Sequence, residues 1–328
     1  MSVVDTHRSP ANPRATQEAR ALLDAIYGAS SGGWTLSGQH NAPRHISFYS
    51  DMAQQISGHY PAIWGQDFGF AADGDLDGIE FRPAVVAEAK RQHAAGSIIT
   101  LMWHAARPTG DEPVTFDDNI CNGLLADRDW QDLLTPGTTT HARWERQVDV
   151  IAGLLAELRD EQVPVLWRPY HEMNGGWFWW GGRPGPGGYV ALYRQLYRRL
   201  VEVHRLDNLL WVWNANAPRP DAAAYADFYP GHEMVDILAA DVYANDYAQS
   251  HHDELVELGE NRPIALGEVG ELPTPTILAT QPRWAWFMTW NAFLTGQNSP
   301  DAVRELFCDP RVRNRPVVAA PVAPMLHP

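Results

Sequence analysis

Short apolar runs alternate with amphipathic segments along nearly the whole chain. Eight of these runs have the length and composition of buried strands, at residues 34–40, 62–66, 97–104, 163–167, 208–213, 235–242, 263–267 and 285–290. Between them, apolar side chains recur at helical spacing, for example at Trp144, Val148, Ile151, Leu155 and Leu158, and again at Val190, Tyr193, Tyr197 and Leu200. Strands that alternate with helices are typical of a parallel sheet covered by helices.

Eight such units without a break in composition favour a closed barrel over an open sheet. The predicted fold class is therefore α/β, with a single-domain (β/α)8 TIM barrel over residues 17–310. Residues 1–16 are interpreted as an N-terminal arm and residues 311–328 as a proline-rich C-terminal tail. The stretch 105–140, rich in Asp, Gly, Pro and Thr, is predicted to be a long loop that walls one side of a cleft.

Charge and tryptophan content narrow the classes of ligand. The chain has 40 acidic and 25 basic residues, so its net charge of −15 disfavours binding to nucleic acid and to anionic membrane surfaces. No run of apolar residues approaches the length of a membrane span. Fourteen tryptophans are more than packing usually requires, and we expect some of them to line an exposed cleft for a neutral ligand.

Two glutamates are the strongest candidates for chemistry. Glu172 lies in the segment Leu-Trp-Arg-Pro-Tyr-His-Glu-Met-Asn-Gly-Gly-Trp-Phe-Trp-Trp-Gly at 166–181, where a predicted strand gives way to glycines and aromatics. Glu268 directly follows the apolar run 263–267. In a barrel of eight strand-helix units, the carboxyl ends of strands four and seven face each other, so we expect the two carboxylates to meet. A pair of carboxylates beside aromatic stacking surfaces is suited to cleavage of a glycosidic bond.

The motifs around both glutamates resemble those of glycoside hydrolase family 26, whose best-known activity is endo-β-1,4-mannanase. The resemblance lies in Arg168-Pro169-Tyr170-His171-Glu172-Met173-Asn174-Gly175 with Trp177, in Asp241-Val242-Tyr243 and in Ala265-Leu266-Gly267-Glu268, within residues 34–295. Relatives in the wider barrel clan carry Asn where this chain has His171, and the histidine agrees with this family.

This resemblance implies roles for particular side chains. Glu172 is the expected general acid/base, and Glu268 is the expected nucleophile of a double displacement that retains the anomeric configuration. Tyr243 is expected to hydrogen-bond the nucleophile, and His171 to contact the sugar near its 2-hydroxyl. The other expected substrate-binding residues are Arg168, His104 at the end of the third strand, and the stacking platforms Trp177 and Trp290, whereas one of Trp179 and Trp180 is expected to pack inside the loop.

The sequence predicts no cofactor and no metal. His251 and His252 are adjacent at a predicted helix start, so they cannot both face one ion. The segment 73–78 resembles part of a calcium loop, but Ala84 stands where the loop's last glutamate would be, and we interpret the segment as an acidic turn. The sequence contains no glycine-rich phosphate loop and no Gly-x-Ser-x-Gly motif.

The predicted function is endo-acting hydrolysis of β-1,4-mannosidic bonds in mannan, glucomannan or galactomannan, or in manno-oligosaccharides, by a monomeric enzyme. A β-glucanase or a β-1,3-xylanase with the same two glutamates is the alternative within the family. A noncatalytic sugar-binding barrel and a metal-dependent hydrolase are rivals from other classes. The sequence leaves open the preference for linear or branched mannan, endo or exo action, the number of subsites, and whether Cys121 and Cys308 pair.

The N-terminal residues and the expected substrate bear on the cellular location. The first ten residues contain no apolar run that could act as a signal peptide. Polysaccharide hydrolases usually meet their substrate outside the cell, so we expect a secreted or periplasmic enzyme if a leader has been removed. A cytoplasmic location is the alternative.

Overall fold

Eight parallel strands form a closed barrel in the computed structural model, which describes residues 8–70 and 78–316. The strands are β1 (Thr35–His40), β2 (Ile63–Asp67), β3 (Ile98–Trp103), β4 (Val165–Pro169), β5 (Leu209–Asn216), β6 (Ile237–Val242), β7 (Ile264–Val269) and β8 (Trp286–Thr289). Each strand pairs in parallel with the next along the chain, and β1 pairs with both β8 and β2, which closes the ring. The predicted single-domain (β/α)8 barrel is confirmed.

Helices surround the barrel. In residues 8–70 and 78–316 the α-helices are α1 (Gln17–Gly32), α2 (Phe48–Ser57), α3 (Arg82–Ala94), α4 (Asp127–Leu134), α5 (Thr139–Asp160), α6 (Tyr189–Arg198), α7 (Gln249–Gly259), α8 (Pro275–Thr280), α9 (Phe293–Gly296) and α10 (Pro300–Phe307). The two segments with helical spacing in the sequence correspond to α5 and to α6 with the π-helical turn that follows it. None of the described helices has the length and apolar character needed to cross a membrane.

Side-chain alternation along the strands separates an outer core from the barrel interior. On β4, Val165 and Trp167 pack in the outer core between strands and helices, whereas Leu166 packs in a second core inside the barrel. Helix α1 belongs to this second core, where apolar side chains such as Ile26 cluster with Leu166 and Leu210. The interior is therefore apolar toward α1, whereas buried charged side chains such as Arg168 and Asp241 lie near the carboxyl ends of the strands.

The long stretch 105–140 is more regular than the sequence predicts. It contains α4 and a π-helical turn at Phe116–Ile120. Helix α4 has only eight residues, but Trp130 and Leu133 lie on one face and are buried against the outer core. This helix was not predicted from the sequence because most of its residues are polar, as in Asp-Arg-Asp-Trp-Gln-Asp, and only Trp130 and Leu133 are buried.

Both ends of the described chain contact the barrel. Near the N-terminus, the backbone N–H of Ala11 donates to Asp236, and the Thr16 side chain caps α1. Near the C-terminus, Val312–Arg313 forms a short strand, β9, that pairs with β1 inside the segment interpreted as a tail. The acidic turn interpreted at 73–78 lies, apart from Gly78, outside the described residues.

All fourteen tryptophans are described, and eleven of them are buried. The partly exposed ones are Trp34, Trp177 and Trp290. Most of the tryptophans therefore stabilise the core, and few are available to a ligand. Cys121 and Cys308 are both free thiols, which leaves the described fold without a disulfide between them.

Candidate active site

The carboxyl ends of the barrel strands carry the predicted site residues. Glu268 lies within β7, and Glu172 follows the end of β4 by three residues. The remaining residues are arranged in the same way, with His104 directly after β3, Tyr243 directly after β6 and Trp290 directly after β8. Parallel strands in a barrel all end on the same face, so these side chains converge there.

Glu268 is held from two sides. The Arg168 guanidinium donates from Nη2 to Glu268 Oε1 at 2.5 Å, and the Tyr243 hydroxyl donates to Oε2 at 2.6 Å. The side chains of Arg168 and Glu268 are only 3% and 4% exposed, so water screens this contact very little. The two donors therefore fix the orientation of the carboxylate and stabilise a negative charge on it.

Glu172 lies in a different electrostatic setting. Its Oε2 accepts a hydrogen bond from Trp177 Nε1 at 2.7 Å, and its backbone N–H donates to the Asn214 carbonyl at 2.8 Å. Burial, followed by the negative charge of Glu268, raises the pKa of Glu172 to about 8. At neutral pH the Glu172 carboxyl therefore carries a proton that it can donate.

The backbone around Glu172 is strained. Tyr170 and Glu172 have φ angles of 47° and 53°, in the left-handed region that residues with a side chain rarely adopt. Such conformations persist only where surrounding contacts enforce them, and they cluster at functional sites. Here Asn214 anchors the Glu172 backbone, and the Tyr170 hydroxyl accepts from Trp144 Nε1 at 2.9 Å.

Two indoles of the site, Trp177 and Trp290, are partly exposed, and Trp290 lies next to His40 and His104. The His40 ring stacks on Trp290 with ring centroids 4.3 Å apart and an interplanar angle of 23°. Trp177 is fixed by its hydrogen bond to Glu172. Both side chains are partly exposed, as an indole that stacks on the apolar face of a pyranose must be.

Histidines fill the space beside the carboxylates. The His171 Nε2 atom lies 3.7 Å from Glu268 Oε1, and the His171 ring meets His104 edge-on at 4.7 Å. Burial, followed by the charges of His104 and Arg168, lowers the pKa of His171 well below its ordinary value. His171 is therefore a neutral imidazole that can serve as a hydrogen-bond partner without adding charge.

A family model described as glycosyl hydrolase family 26 matches residues 11–315. The chain belongs to this family.

Relatives within family 26 cover nearly all of the chain. The mannan endo-1,4-β-mannosidase of Thermothelomyces thermophilus is 36% identical over an alignment of 317 residues that covers 92% of this chain and 61% of that enzyme. A mannan endo-1,4-β-mannosidase of Bacillus subtilis is 29% identical over an alignment of 314 residues that covers 87% of this chain and 83% of the relative. The solved structure of GH26A from a Muricauda species has a TM-score of 0.89 at 44% identity and covers 94% of this chain and 100% of its own. The chain spans between 46% and 61% of the length of the first three curated relatives.

Sequence reasoning missed Asp67, the last residue of β2. Its Oδ2 lies 2.5 Å from His104 Nδ1, and its Oδ1 accepts from the backbone N–H groups of His104 and Gly69. Although burial opposes ionisation, the contacts with His104 hold the pKa of Asp67 below its ordinary value. Asp67 thus fixes the ring of His104. The sequence feature that could have identified Asp67 is a polar residue at the end of an apolar strand, and His40 at the end of β1 has the same feature.

Asp241 at the end of β6 completes a polar layer beneath the glutamates. Its Oδ1 lies 3.6 Å from Arg168 Nη1, and burial together with the charge of Glu268 raises its pKa well above the ordinary value. A register shift between β6 and β7 brings Asp241 opposite Glu268. A Cβ atom at Gly267 would lie 1.7 Å from Asn214 Oδ1, so only glycine fits at this point.

The same polar layer contains the one metal-like cluster found among the described residues. Ligand atoms of His171, Asp241 and Glu268 lie within 4.8 Å of one another. Arg168 contacts both carboxylates, so the guanidinium already supplies the positive charge that a cation would bring.

Trp179 and Trp180 are both structural. Each is fully buried, and their Nε1 atoms donate to the carbonyls of Ala105 at 2.7 Å and His171 at 2.8 Å. The expectation that one of the two packs inside the loop thus applies to both. Trp180 also fixes the backbone beside Glu172.

The adjacent histidines of α7 have separate partners. His251 Nε2 lies 3.2 Å from Asp246 Oδ2, and His252 Nδ1 lies 2.7 Å from Asp253 Oδ1. These contacts bind each ring to its own carboxylate.

Proposed function

We propose that this chain hydrolyses internal β-1,4-mannosidic bonds in mannan, glucomannan or galactomannan, with retention of the anomeric configuration. The observation that carries the proposal is the unlike setting of its two glutamates. Glu172 is a buried, protonated acid beside Trp177, whereas Glu268 accepts hydrogen bonds from Arg168 and Tyr243. One acid and one stabilised anion are what a retaining glycosidase requires.

Each glutamate then has a defined part in the reaction. Glu268 attacks the anomeric carbon while Glu172 transfers its proton to the departing glycosidic oxygen, which forms a glycosyl ester on Glu268 and releases the first product. Glu172, now ionised, removes a proton from water as the water attacks the anomeric carbon. The ester bond breaks, Glu268 is released as a carboxylate, and Glu172 regains its proton.

Support for a mannan substrate comes from the relatives and from the residues that face the sugar. Several relatives across family 26 are named mannan endo-1,4-β-mannosidases. The 2-hydroxyl of mannose is axial, so a hydrogen-bonding group must reach a position different from that used for glucose. Neutral His171, which lies beside Glu268, suits that role, and the partly exposed Trp177 and Trp290 are candidates to stack on the sugar rings.

A panel of polysaccharides tests the substrate. Initial rates are measured on linear mannan, glucomannan, galactomannan, lichenan and β-1,3-xylan, with the Glu268→Ala variant as the blank. We expect a mannan to be the fastest substrate, and its early products to be oligosaccharides of mixed length whose new reducing ends are β when followed by NMR. Faster cleavage of lichenan or β-1,3-xylan than of any mannan would show that mannan is not the preferred substrate, and it would leave the two-glutamate mechanism in place. Release of a single short product from the start would show that the enzyme is exo-acting and contradict endo action.

A polymeric substrate also supports a location outside the cytoplasm, and we include a secreted or periplasmic site of action in the proposal. Fractionation of the source culture with an antibody against the chain tests this part. Recovery in the cytoplasmic fraction alone would overturn it.

A further inference from the structure

The geometry points to Arg219 as a positioning residue for the acid Glu172, acting through the indole of Trp177. This inference rests on the proposed function, because it assigns Arg219 a part in the proton transfer made by Glu172. Arg219 lies in the loop after β5, far from Glu172 in sequence, and it belongs to none of the motifs around the two glutamates.

Trp177 connects the two residues by two different surfaces. The Arg219 Cζ atom lies over the Trp177 ring, 5.4 Å from the ring centroid. The edge of the same ring donates from Nε1 to Glu172 Oε2 at 2.7 Å. A guanidinium over an indole face is an attractive cation–π contact, so Arg219 restrains the ring whose edge orients the acid.

The loop that carries Arg219 is built to hold this position. Arg219 and Ala222 exchange both of their backbone hydrogen bonds, at 3.0 and 2.9 Å, which makes a tight turn. Ala222 also bridges to Gly175, three residues after Glu172. The Arg219 Nε atom donates to Asp221 Oδ1 at 2.7 Å, which limits the side-chain rotamers.

A buried amide fastens this loop to the acid-bearing segment. Asn174 Nδ2 donates to the carbonyls of Asn216 and Ala223 at 2.8 Å each, and the Asn216 backbone N–H donates to Asn174 Oδ1 at 2.8 Å. Both ends of the Arg219 loop are therefore attached to a residue only two positions after Glu172. These hydrogen bonds fix the Arg219 loop relative to Glu172.

The positive charge of Arg219 also acts on the acid directly. Burial and the charge of Glu268 raise the pKa of Glu172, and the Arg219 guanidinium acts in the opposite direction. The other charged or titratable groups that face Glu172 are Arg168 on β4, Asp241 on β6, Tyr243 after β6 and Cys121 after the π-helical turn. Arg219 lies at the solvent edge, with 40% of its side chain exposed.

Two substitutions separate the charge from the stacking. Arg219→Met keeps an apolar stem over Trp177 without the charge, and Arg219→Lys keeps the charge without the planar guanidinium. The first readout is the pH titration of the Trp177 indole N–H resonance, assigned with Trp177→Phe, because this proton bonds to the Glu172 carboxyl. The second readout is the pH profile of kcat/KM on mannan and on a dinitrophenyl β-mannoside, whose leaving group needs no proton.

In Arg219→Met we expect the indole titration and the alkaline limb of the mannan profile to move together to higher pH, because an ionised Glu172 has lost a positive neighbour. We expect kcat on mannan to fall about tenfold, which is smaller than the full rate factor that general acid catalysis supplies. The rate of glycosylation by the aryl mannoside should stay unchanged. Arg219→Lys should keep the wild-type titration midpoint. Arg183→Met is the matched control, since Arg183 lies over buried Trp130 at 5.1 Å, and it should leave the titration unmoved.

Three results would overturn the inference. They are an unmoved titration midpoint in Arg219→Met, equal losses on mannan and the aryl mannoside with a lowered Tm, or a raised KM for mannan with an unmoved pH profile. The last result would make Arg219 a substrate-binding residue. Because the indole titration needs no substrate, it tests Arg219 even if the wild-type protein fails to cleave mannan, and that failure would count against the proposed function alone.

Discussion

At the scale of single residues, the two glutamates are chemically identical and differ only in the groups that surround them. Glu268 has an arginine and a phenol on its two oxygens, whereas Glu172 has a single indole donor in a buried setting next to another negative charge. Burial and the charge of Glu268 outweigh the nearby guanidinium groups and favour the protonated form of Glu172, whereas the two donors on Glu268 orient its carboxylate. The same side chain can therefore supply a proton at one position and a nucleophile at the other.

The raised pKa of Glu172 predicts the alkaline limb of the pH profile. As pH rises through about 8, Glu172 loses the proton that the leaving group needs, so kcat/KM on mannan should fall about tenfold per pH unit above that point. Trp177→Phe removes a donor that favours the ionised form, so its limb should lie at higher pH. Steady-state rates between pH 5 and about 10 on an uncharged mannan measure the alkaline limb of the wild type and that of Trp177→Phe. A wild-type limb near pH 5 would be inconsistent with Glu172 as the acid.

His171 predicts a loss in turnover that exceeds the loss in binding. If its imidazole bonds to the sugar more strongly as the ring distorts, His171→Ala should lower kcat by about 10²-fold and change KM little. His171→Asn, which introduces the residue of the wider clan, is the comparison variant and should recover part of kcat on glucose-containing polymers. Separate kcat and KM values on manno-oligosaccharides provide the measurement. A rise in KM with an unchanged kcat would show that His171 binds ground state and transition state equally.

At the scale of elements, the acid-bearing segment after β4 depends on the loop after β5. Asn174 connects the two with three hydrogen bonds and is only 3% exposed. The strained backbone of Tyr170 and Glu172 lies directly before this connection. Contacts of this kind are what keep a strained segment in its functional conformation.

Removing the Asn174 side chain should therefore destabilise the site locally. Asn174→Ala leaves the Asn216 N–H and two carbonyls without their partner, and we expect a loss of about 2–3 kcal/mol in the free energy of unfolding. Asn122→Ala, which removes an exposed amide that donates to Asp118, is the matched control and should change stability by less than about 0.5 kcal/mol. Urea denaturation of both variants measures the difference. An Asn174→Ala midpoint equal to that of the control would show that the loop is held by other contacts.

The elements that sequence predicts well are the ones buried on both faces. All eight strands were found within a few residues of their ends because strands of a parallel barrel are continuous apolar runs. Helix α4 was missed because only Trp130 and Leu133 of its eight residues reach the core. The short strand β9 was missed because two residues carry no periodicity, and its pairing with β1 connects distant parts of the chain.

At the scale of the whole molecule, the site is a set of contacts between strands that are far apart in sequence. The glutamates could be predicted because each lies in a distinctive local motif. Their partners were harder to predict, since the pairing of Asp67 with His104 and of Asp241 with Arg168 appears only when the barrel closes. The charged residues of the site lie at one end of an interior whose other end is apolar and covered by α1. Closure of the barrel thus creates both the core and the site.

Trapping of the glycosyl-enzyme tests the central claim most directly. Incubation with a 2-deoxy-2-fluoro-β-mannobiosyl fluoride should inactivate the enzyme with one label per chain, and peptide mass spectrometry should find that label on Glu268. Mannobiose should protect, and Glu268→Ala should take up no label. A label on Glu172 or on any other residue, or steady turnover to an α-configured product without labelling, would contradict a double displacement in which Glu268 is the nucleophile.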